Sequence, residues 1–71
     1  MRYMRYVFKV GSKRIISFAK SEKQARFFLF DGGNKNIYNC PLIEETGVYP
    51  GDLVRVWSPE TKQYKEFVVM Y

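Results

Sequence analysis

An alternation of apolar and charged residues near the start of the chain constrains its fold more than any other feature. This period of two is typical of a β-strand with one buried face. We therefore expect a strand over residues 3–10. Its two sides would carry Met4, Tyr6, Phe8 and Val10 on one face and Tyr3, Arg5, Val7 and Lys9 on the other.

A tight turn and a second strand follow directly. Gly11-Ser12 has Gly at the first central position, as a two-residue type II′ turn prefers, and residues 13–18 are rich in β-branched and aromatic side chains. The chain should therefore begin with a β-hairpin. Its cross-strand pairs would be Val10–Lys13, Phe8–Ile15, Tyr6–Ser17 and Lys9–Arg14. The last pair places two positive charges side by side, which destabilises a sheet unless an anion lies nearby.

A helix is predicted after the hairpin. Ser21 and Gln24 have the spacing of a capping box, and Glu22 suits the positive end of the helix dipole. The helix should end near Phe30, because residues 31–34 include Gly and Asn, which tolerate the positive φ common at a helix C-terminus. Ala25, Phe28 and Leu29 would share one helix face, with Phe27 and Phe30 on its flank.

Three further strands complete the predicted order. We expect a short edge strand over Asn36–Ile43, since Pro41 lacks a backbone donor. Pro50 and Gly51 occupy the central positions of a type II turn that precedes a strand over residues 53–57. After a polar loop, a last strand over residues 64–70 returns antiparallel.

The resulting order is β-β-α-β-β-β in one domain of 71 residues. Tight turns between consecutive strands favour a mostly antiparallel, curved sheet with the helix packed on one face, an α+β fold. A small closed β-barrel with one helix is the alternative. A hairpin followed by a helix with a polar cap recurs at the start of many unrelated small domains, so it indicates no family.

The sequence predicts neither an internal disulfide nor a structural metal site. Its single cysteine, Cys40, excludes an internal disulfide, and without histidine the ligands of a structural zinc site are missing. A core this small supplies only about 3 to 5 kcal/mol without either, so a homodimer is a reasonable expectation. We expect no cofactor.

The N-terminal sequence does not have the pattern expected of a secretory signal peptide. Residues 1–10 lack the apolar core and the cleavage site of a signal peptide, and no window approaches 18 uninterrupted apolar residues. The expected location is the cytoplasm, without a membrane partner.

Positive charge is concentrated in the first part of the chain. The net charge is +5, and residues 1–30 hold eight of the twelve Lys and Arg but only one of the seven Asp and Glu. Such asymmetry indicates a basic face that binds a nucleic acid or an acidic protein surface. Alternatively, the charges serve solubility and pair between the two halves.

The residues needed for catalysis are scarce. Cys40 has no imidazole to activate it and is more typical of a small buried side chain. Glu44 and Glu45 are adjacent, so in an extended segment they point to opposite faces, and with Asp52 they are more typical of a solvated loop. Gly32-Gly33 ends a helix and lacks phosphate-loop spacing. We therefore expect neither an enzyme nor a metal site.

Aromatic and basic residues alternate together on the strands. The first hairpin would carry Tyr3, Arg5, Val7, Lys9, Arg14, Ile16 and Phe18 on the face opposite the helix. In the last hairpin we expect Val54, Val56, Val68 and Met70 on one side and Arg55, Trp57, Lys65, Phe67 and Tyr71 on the other. Alternatively, Val7, Ile16, Phe18, Trp57 and Phe67 form a second side of the core, closed by a barrel or by a dimer mate.

Rings interleaved with cations suit a nucleic acid, because bases stack on the rings while Lys and Arg neutralise phosphates. The predicted function is nucleic-acid binding, with phosphate contacts from Arg5, Lys9, Arg14 and Arg55 and stacking on Tyr3, Phe18 and Trp57. The alternative is a protein-interaction module, a small inhibitor, adaptor or assembly subunit that would suit a virus or a mobile element.

Overall fold

The first hairpin forms as predicted. The computed structural model describes residues 2–70 and contains β1 (Met4–Val10) paired antiparallel with β2 (Lys13–Ala19). The pairs Val10–Lys13, Phe8–Ile15, Tyr6–Ser17 and Lys9–Arg14 are all confirmed. Gly11 has a φ of 62°, and among described non-glycine residues only Lys62 has a positive φ. Ser12 therefore keeps the negative φ of a type II′ turn.

The helix α1 spans Glu22–Asp31, one residue longer than predicted. At its start the backbone N–H of Gln24 donates to Ser21 Oγ at 3.2 Å, and the side chain of Gln24 accepts from the backbone N–H of Lys20 at 2.9 Å. At its end the N–H of Gly32 donates to the carbonyl of Phe28, and Gly33 has a φ of 116°. Both predicted helix ends are thus confirmed within a residue.

The predicted strand over residues 36–43 is wrong. A short 3₁₀ turn occupies Ile37–Asn39, and β3 (Leu42–Gly47) begins only after Pro41. Arg26 fixes this connection because its Nη1 donates to the carbonyls of Ile37 and Cys40, each at 2.7 Å. These bonds hold Ile37–Cys40 in a loop conformation, and Pro41 has no N–H to donate to a ladder, so β3 begins only at Leu42.

β3 pairs antiparallel with the other side of β1. The register shifts between Val7 and Phe8, and the N–H of Lys9 donates to the carbonyl of Pro41 at 3.0 Å beyond the shift. β1 is therefore the centre of a three-stranded sheet with the order β2-β1-β3.

The last two strands form a separate sheet. The N–H of Asp52 donates to the carbonyl of Tyr49 at 3.0 Å and Gly51 has a φ of 95°, as the predicted type II turn requires. β4 (Leu53–Ser58) then pairs antiparallel with β5 (Gln63–Val68). We call this two-stranded unit the second sheet; within residues 2–70 its β4 contacts β2 and α1.

The α+β class and the predicted element order are confirmed, although the strands lie in two sheets. The strands described do not close into a barrel. The core lies between α1 and the face of β1 and β2 that carries Tyr6 and Phe8, which we call the inner face. Its buried members are Tyr6, Phe8, Ala19, Ala25, Phe28, Leu29 and Ile37.

No helix in the described part of the chain is long and apolar enough to cross a membrane.

Candidate nucleic-acid interface

The face of the first hairpin opposite the helix, here the outer face, carries the predicted side chains. The pairs Arg5–Phe18, Val7–Ile16 and Lys9–Arg14 place these residues together, as the alternation predicts. The face is not uniformly open. Val7 is 2% exposed and Phe18 is half-buried, whereas Ile16 is 45% exposed and both members of the Lys9–Arg14 pair are exposed. Only the part of the outer face near the turn is therefore accessible to a large partner.

Three cations surround this turn. Lys9, Lys13 and Arg14 are all exposed, and we call them the basic turn. Because the N–H of Lys9 points toward Pro41, Lys9 and Arg14 form a non-hydrogen-bonded pair, in which opposed Cα atoms lie about 4.5 Å apart. Within residues 2–70 none of the three forms an ion pair. The like charges are therefore close to each other and without a neutralising carboxylate.

Several cations elsewhere are neutralised within the chain. The described ion pairs are Arg5–Glu44 at 3.2 Å, Arg26–Glu22 at 3.0 Å, Arg55–Glu66 at 3.6 Å and Lys62–Asp31 at 2.7 Å. Two further cations lie over aromatic rings, Lys20 over Tyr3 and Lys35 over Phe30. Two of the four predicted phosphate ligands, Arg5 and Arg55, thus already contact a carboxylate, while the other two belong to the basic turn.

Two of the three predicted stacking rings are engaged in internal contacts. The centroid of the Tyr3 ring lies 5.5 Å from that of Phe67. The indole N–H of Trp57 donates to Asp31 Oδ2 at 2.7 Å, and its ring meets that of Tyr64 edge-on at 5.0 Å. Trp57 is half-buried and packs against the core, so little of its face is open for a base.

The predicted faces of the second sheet are wrong for β5. Arg55 and Trp57 lie opposite Glu66 and Tyr64, whereas Phe67 lies opposite Val54. Directly opposed residues share a face. Arg55 and Trp57 therefore lie on one face with Leu53, Tyr64, Glu66 and Val68, and the other face carries Val54, Val56, Lys65 and Phe67. Tyr71, expected on the aromatic side, lies outside the described residues.

The structure thus divides the seven predicted residues. Lys9 and Arg14 meet as one pair, and Arg5 and Phe18 as another. Tyr3 precedes β1, and Arg55 and Trp57 belong to the other sheet. Sequence reasoning missed Lys13, because alternation assigns it to the inner face, although its place beside a tight turn is a signal of exposure.

The acidic residues are dispersed. Glu44 and Glu45 lie in β3 rather than in the predicted loop, opposite Val7 and Tyr6, and hence on opposite faces as predicted. Burial raises the pKa of the Tyr6 phenol above its ordinary value, and the nearby carboxylate of Glu45 raises it further. Among residues 2–70 no three His, Cys, Asp or Glu side chains are grouped as a metal site would require.

Cys40 is half-buried against the core, and its Sγ donates to the carbonyl of Asn36 at 3.3 Å. The thiol therefore has a structural partner within its own loop.

No protein-family model matches the chain, and the searches found neither a curated protein nor a solved structure that resembles it.

Proposed function

We propose that the protein is a small non-enzymatic, cytoplasmic protein that binds nucleic acid through the basic turn. One observation carries the proposal: three exposed cations crowd one turn, and no carboxylate in the described chain neutralises them. Opposed like charges weaken a hairpin. A bound polyanion neutralises these charges. Relief of their repulsion therefore adds to the favourable free energy of binding.

Phosphate contacts carry most of the binding in this proposal. Tyr3 and Trp57 are occupied by internal contacts, and the half-buried Phe18 lies opposite Arg5, away from the turn, so the proposal does not depend on ring stacking. Contacts to phosphates are insensitive to sequence and strongly dependent on salt. We therefore propose binding with little base preference, through the protruding end of the first hairpin.

A titration with labelled DNA and RNA oligomers at two salt concentrations tests the proposal. The variant Lys9→Gln/Arg14→Gln removes two charges from the basic turn. The matched control Lys23→Gln/Lys65→Gln removes two exposed cations that form no ion pair within residues 2–70. Each lost phosphate contact lowers the salt slope by about 0.7 to 0.9. We expect a slope smaller by nearly two and affinity at least about tenfold weaker for the first variant only.

Three results would overturn the proposal: no binding by the natural chain, binding that ignores salt, or equal weakening by both variants.

An acidic protein surface is the rival partner for the basic turn, in keeping with an inhibitor, adaptor or assembly subunit. A pull-down from cell extract with and without nuclease separates the two partners. A nucleic-acid partner is lost on nuclease treatment, whereas a protein bound directly survives it.

A further inference from the structure

A groove of about 430 Å³ lies between the first sheet and the end of the second. Tyr3 and Val48, which adjoin the paired ends of β1 and β3, form one wall. Pro50, Phe67 and Val69 form the other wall. Pockets that bind small molecules have volumes of roughly 300 to 1,000 Å³, so this groove is large enough for one.

Backbone hydrogen bonds hold the second wall in place. The N–H of Gly51 donates to the carbonyl of Val69 at 2.9 Å, and the N–H of Val69 donates to the carbonyl of Asp52 at 3.0 Å. The carboxylate of Asp52 accepts from the N–H of Tyr49 at 2.9 Å. The turn at residues 49–52 is therefore tied to the residues that follow β5, and the groove has the pre-formed walls that are usual for a ligand site.

The charge at the groove is positive. Arg2 lines it, and no carboxylate does so in the described chain. Arg2 is exposed and forms no ion pair within residues 2–70. The Nζ of Lys20 lies 5.4 Å from the centroid of the Tyr3 ring, so a second cation is close to the same wall. Apolar walls and an unpaired guanidinium thus occur together.

We propose that this groove binds a small amphipathic monocarboxylate, a molecule with an alkyl body and one carboxylate, of which a medium-chain fatty acid is the simplest example. The alkyl body lies against the apolar walls, and its removal from water favours binding. A ligand that covers these walls also displaces water from Arg2, which is unfavourable unless an anion takes the place of the water. A guanidinium can donate to both oxygens of a carboxylate.

The walls favour an alkyl chain over a nucleotide. The side chains of Val48, Pro50 and Val69 have no hydrogen-bond donor or acceptor for a base. Met70, at the edge of the groove, has an unbranched side chain that adapts to a flexible ligand. The groove is also at the other end of β1 from Lys9 and the basic turn. The inference therefore goes beyond the proposed nucleic-acid function.

An NMR titration of the full chain with decanoate tests the proposal. We expect saturable shifts of the methyl resonances of Val48, Val69 and Met70, with a dissociation constant of about 0.1 to 1 mM. The methyl groups of Ile43, which is 42% exposed but does not line the groove, should not shift. Butyrate, with a shorter body, should bind at least about tenfold more weakly. Decanamide, which has no charge, should bind about fivefold more weakly.

A pair of variants tests the role of the guanidinium. Arg2→Gln should bind decanoate about fivefold more weakly than the natural chain and no better than it binds decanamide. The matched control Lys23→Gln removes an exposed, unpaired cation that does not line the groove, and it should keep the natural affinity. The dispersion of the methyl spectrum shows whether each protein is folded.

Three results would overturn the proposal: no saturable shift of the groove methyl groups, equal affinity of the natural chain for decanoate and decanamide, or equal losses in Arg2→Gln and Lys23→Gln. The groove is independent of the basic turn. The Lys9→Gln/Arg14→Gln variant should therefore bind decanoate like the natural chain even if neither protein binds an oligomer.

Discussion

Asp31 occupies a position that would be unfavourable for an isolated carboxylate. It is the last residue of α1, where the helix dipole favours cations. Lys62 Nζ and the indole N–H of Trp57 donate to its two oxygens, each at 2.7 Å. The hydrogen bond from Lys62, followed by that from Trp57, lowers the pKa of Asp31 below its ordinary value. One side chain thus joins the helix to β4 and to the loop that connects β4 with β5.

The lowered pKa of Asp31 predicts a pH-dependent contribution to stability. A carboxyl group of this kind stabilises the fold fully above its unfolded pKa, about 3.9, and loses that contribution as the pH falls through its lower folded pKa. Asp31→Asn should therefore be less stable than the natural chain at neutral pH, and the difference should shrink below about pH 4. Urea unfolding at several pH values measures it. A difference that does not change with pH would contradict this account.

Lys62 provides a test of backbone strain. Its φ is 57°, in the left-handed region that costs a residue with a Cβ roughly 1 to 2 kcal/mol. Lys62→Ala and Lys62→Gly both remove the bond to Asp31, but only glycine relieves the strain. Glycine also gains entropy in the unfolded chain. We therefore expect the Gly variant to exceed the Ala variant by about 0.5 to 1 kcal/mol in free energy of unfolding. An Ala variant of equal or greater stability would show that the strain is no larger than the entropic cost of glycine.

The elements that were predicted well are those whose signals are local. A two-residue turn fixes the whole register of the first hairpin, and Gly11 supplies the positive φ that this turn needs. The start of α1 is similarly determined by side chains within four residues of one another. Nothing distant in the sequence is required to place these elements.

The wrong predictions concern elements whose position depends on contacts between residues far apart in the sequence or on the register of the strands. The position of β3 depends on pairing with β1 and on the two bonds from Arg26, which span 11 and 14 residues. In the second hairpin the predicted register was wrong by one residue, so the side chains of β5 were assigned to the wrong faces. The strands pair Ser58 with Gln63 across a four-residue loop, so odd-numbered residues of β4 face even-numbered residues of β5. The alternation alone does not reveal loop length, and a shift of one residue exchanges the faces.

The N-cap of α1, Ser21, provides a test of what stabilises the start of the helix. Ser21→Ala removes the acceptor for the N–H of Gln24 and should cost about 1 kcal/mol in free energy of unfolding. Ser21→Asp keeps an acceptor and adds a favourable charge, so it should retain the natural stability. Thermal unfolding compares the three proteins. Equal losses in both variants would mean that the cap bond is not what stabilises this end of α1.

For the molecule as a whole, the two sheets should unfold together. An isolated two-stranded hairpin is only marginally stable, and the second sheet is supported through the contacts of β4 with β2 and α1. Trp57 is the single Trp of the chain, so its fluorescence reports on that region, whereas circular dichroism reports on all elements. We expect identical urea midpoints from both signals. An earlier fluorescence transition would show that the second sheet detaches first.

The concentration of positive charge in residues 1–30 was predictable from the sequence, whereas which of these charges form ion pairs was not. The excess of cations in residues 1–30 is evident from the sequence. Arg26 pairs with Glu22 within the same helix, whereas Arg5 is neutralised by Glu44, which is 39 residues away in the sequence. The fold is therefore needed to distinguish the paired cations from the unpaired cations of the basic turn.

A groove lined by Tyr3, Val48, Pro50 and Phe67 brings the two ends of the described chain together. Arg2 and Tyr3 line it on one side and Met70 on another. A purification tag fused close to either of these ends would therefore lie near the groove and restrict access to it. The same proximity suits circular permutation: a short linker could join the ends and new termini could open in the exposed loop at residues 60–62.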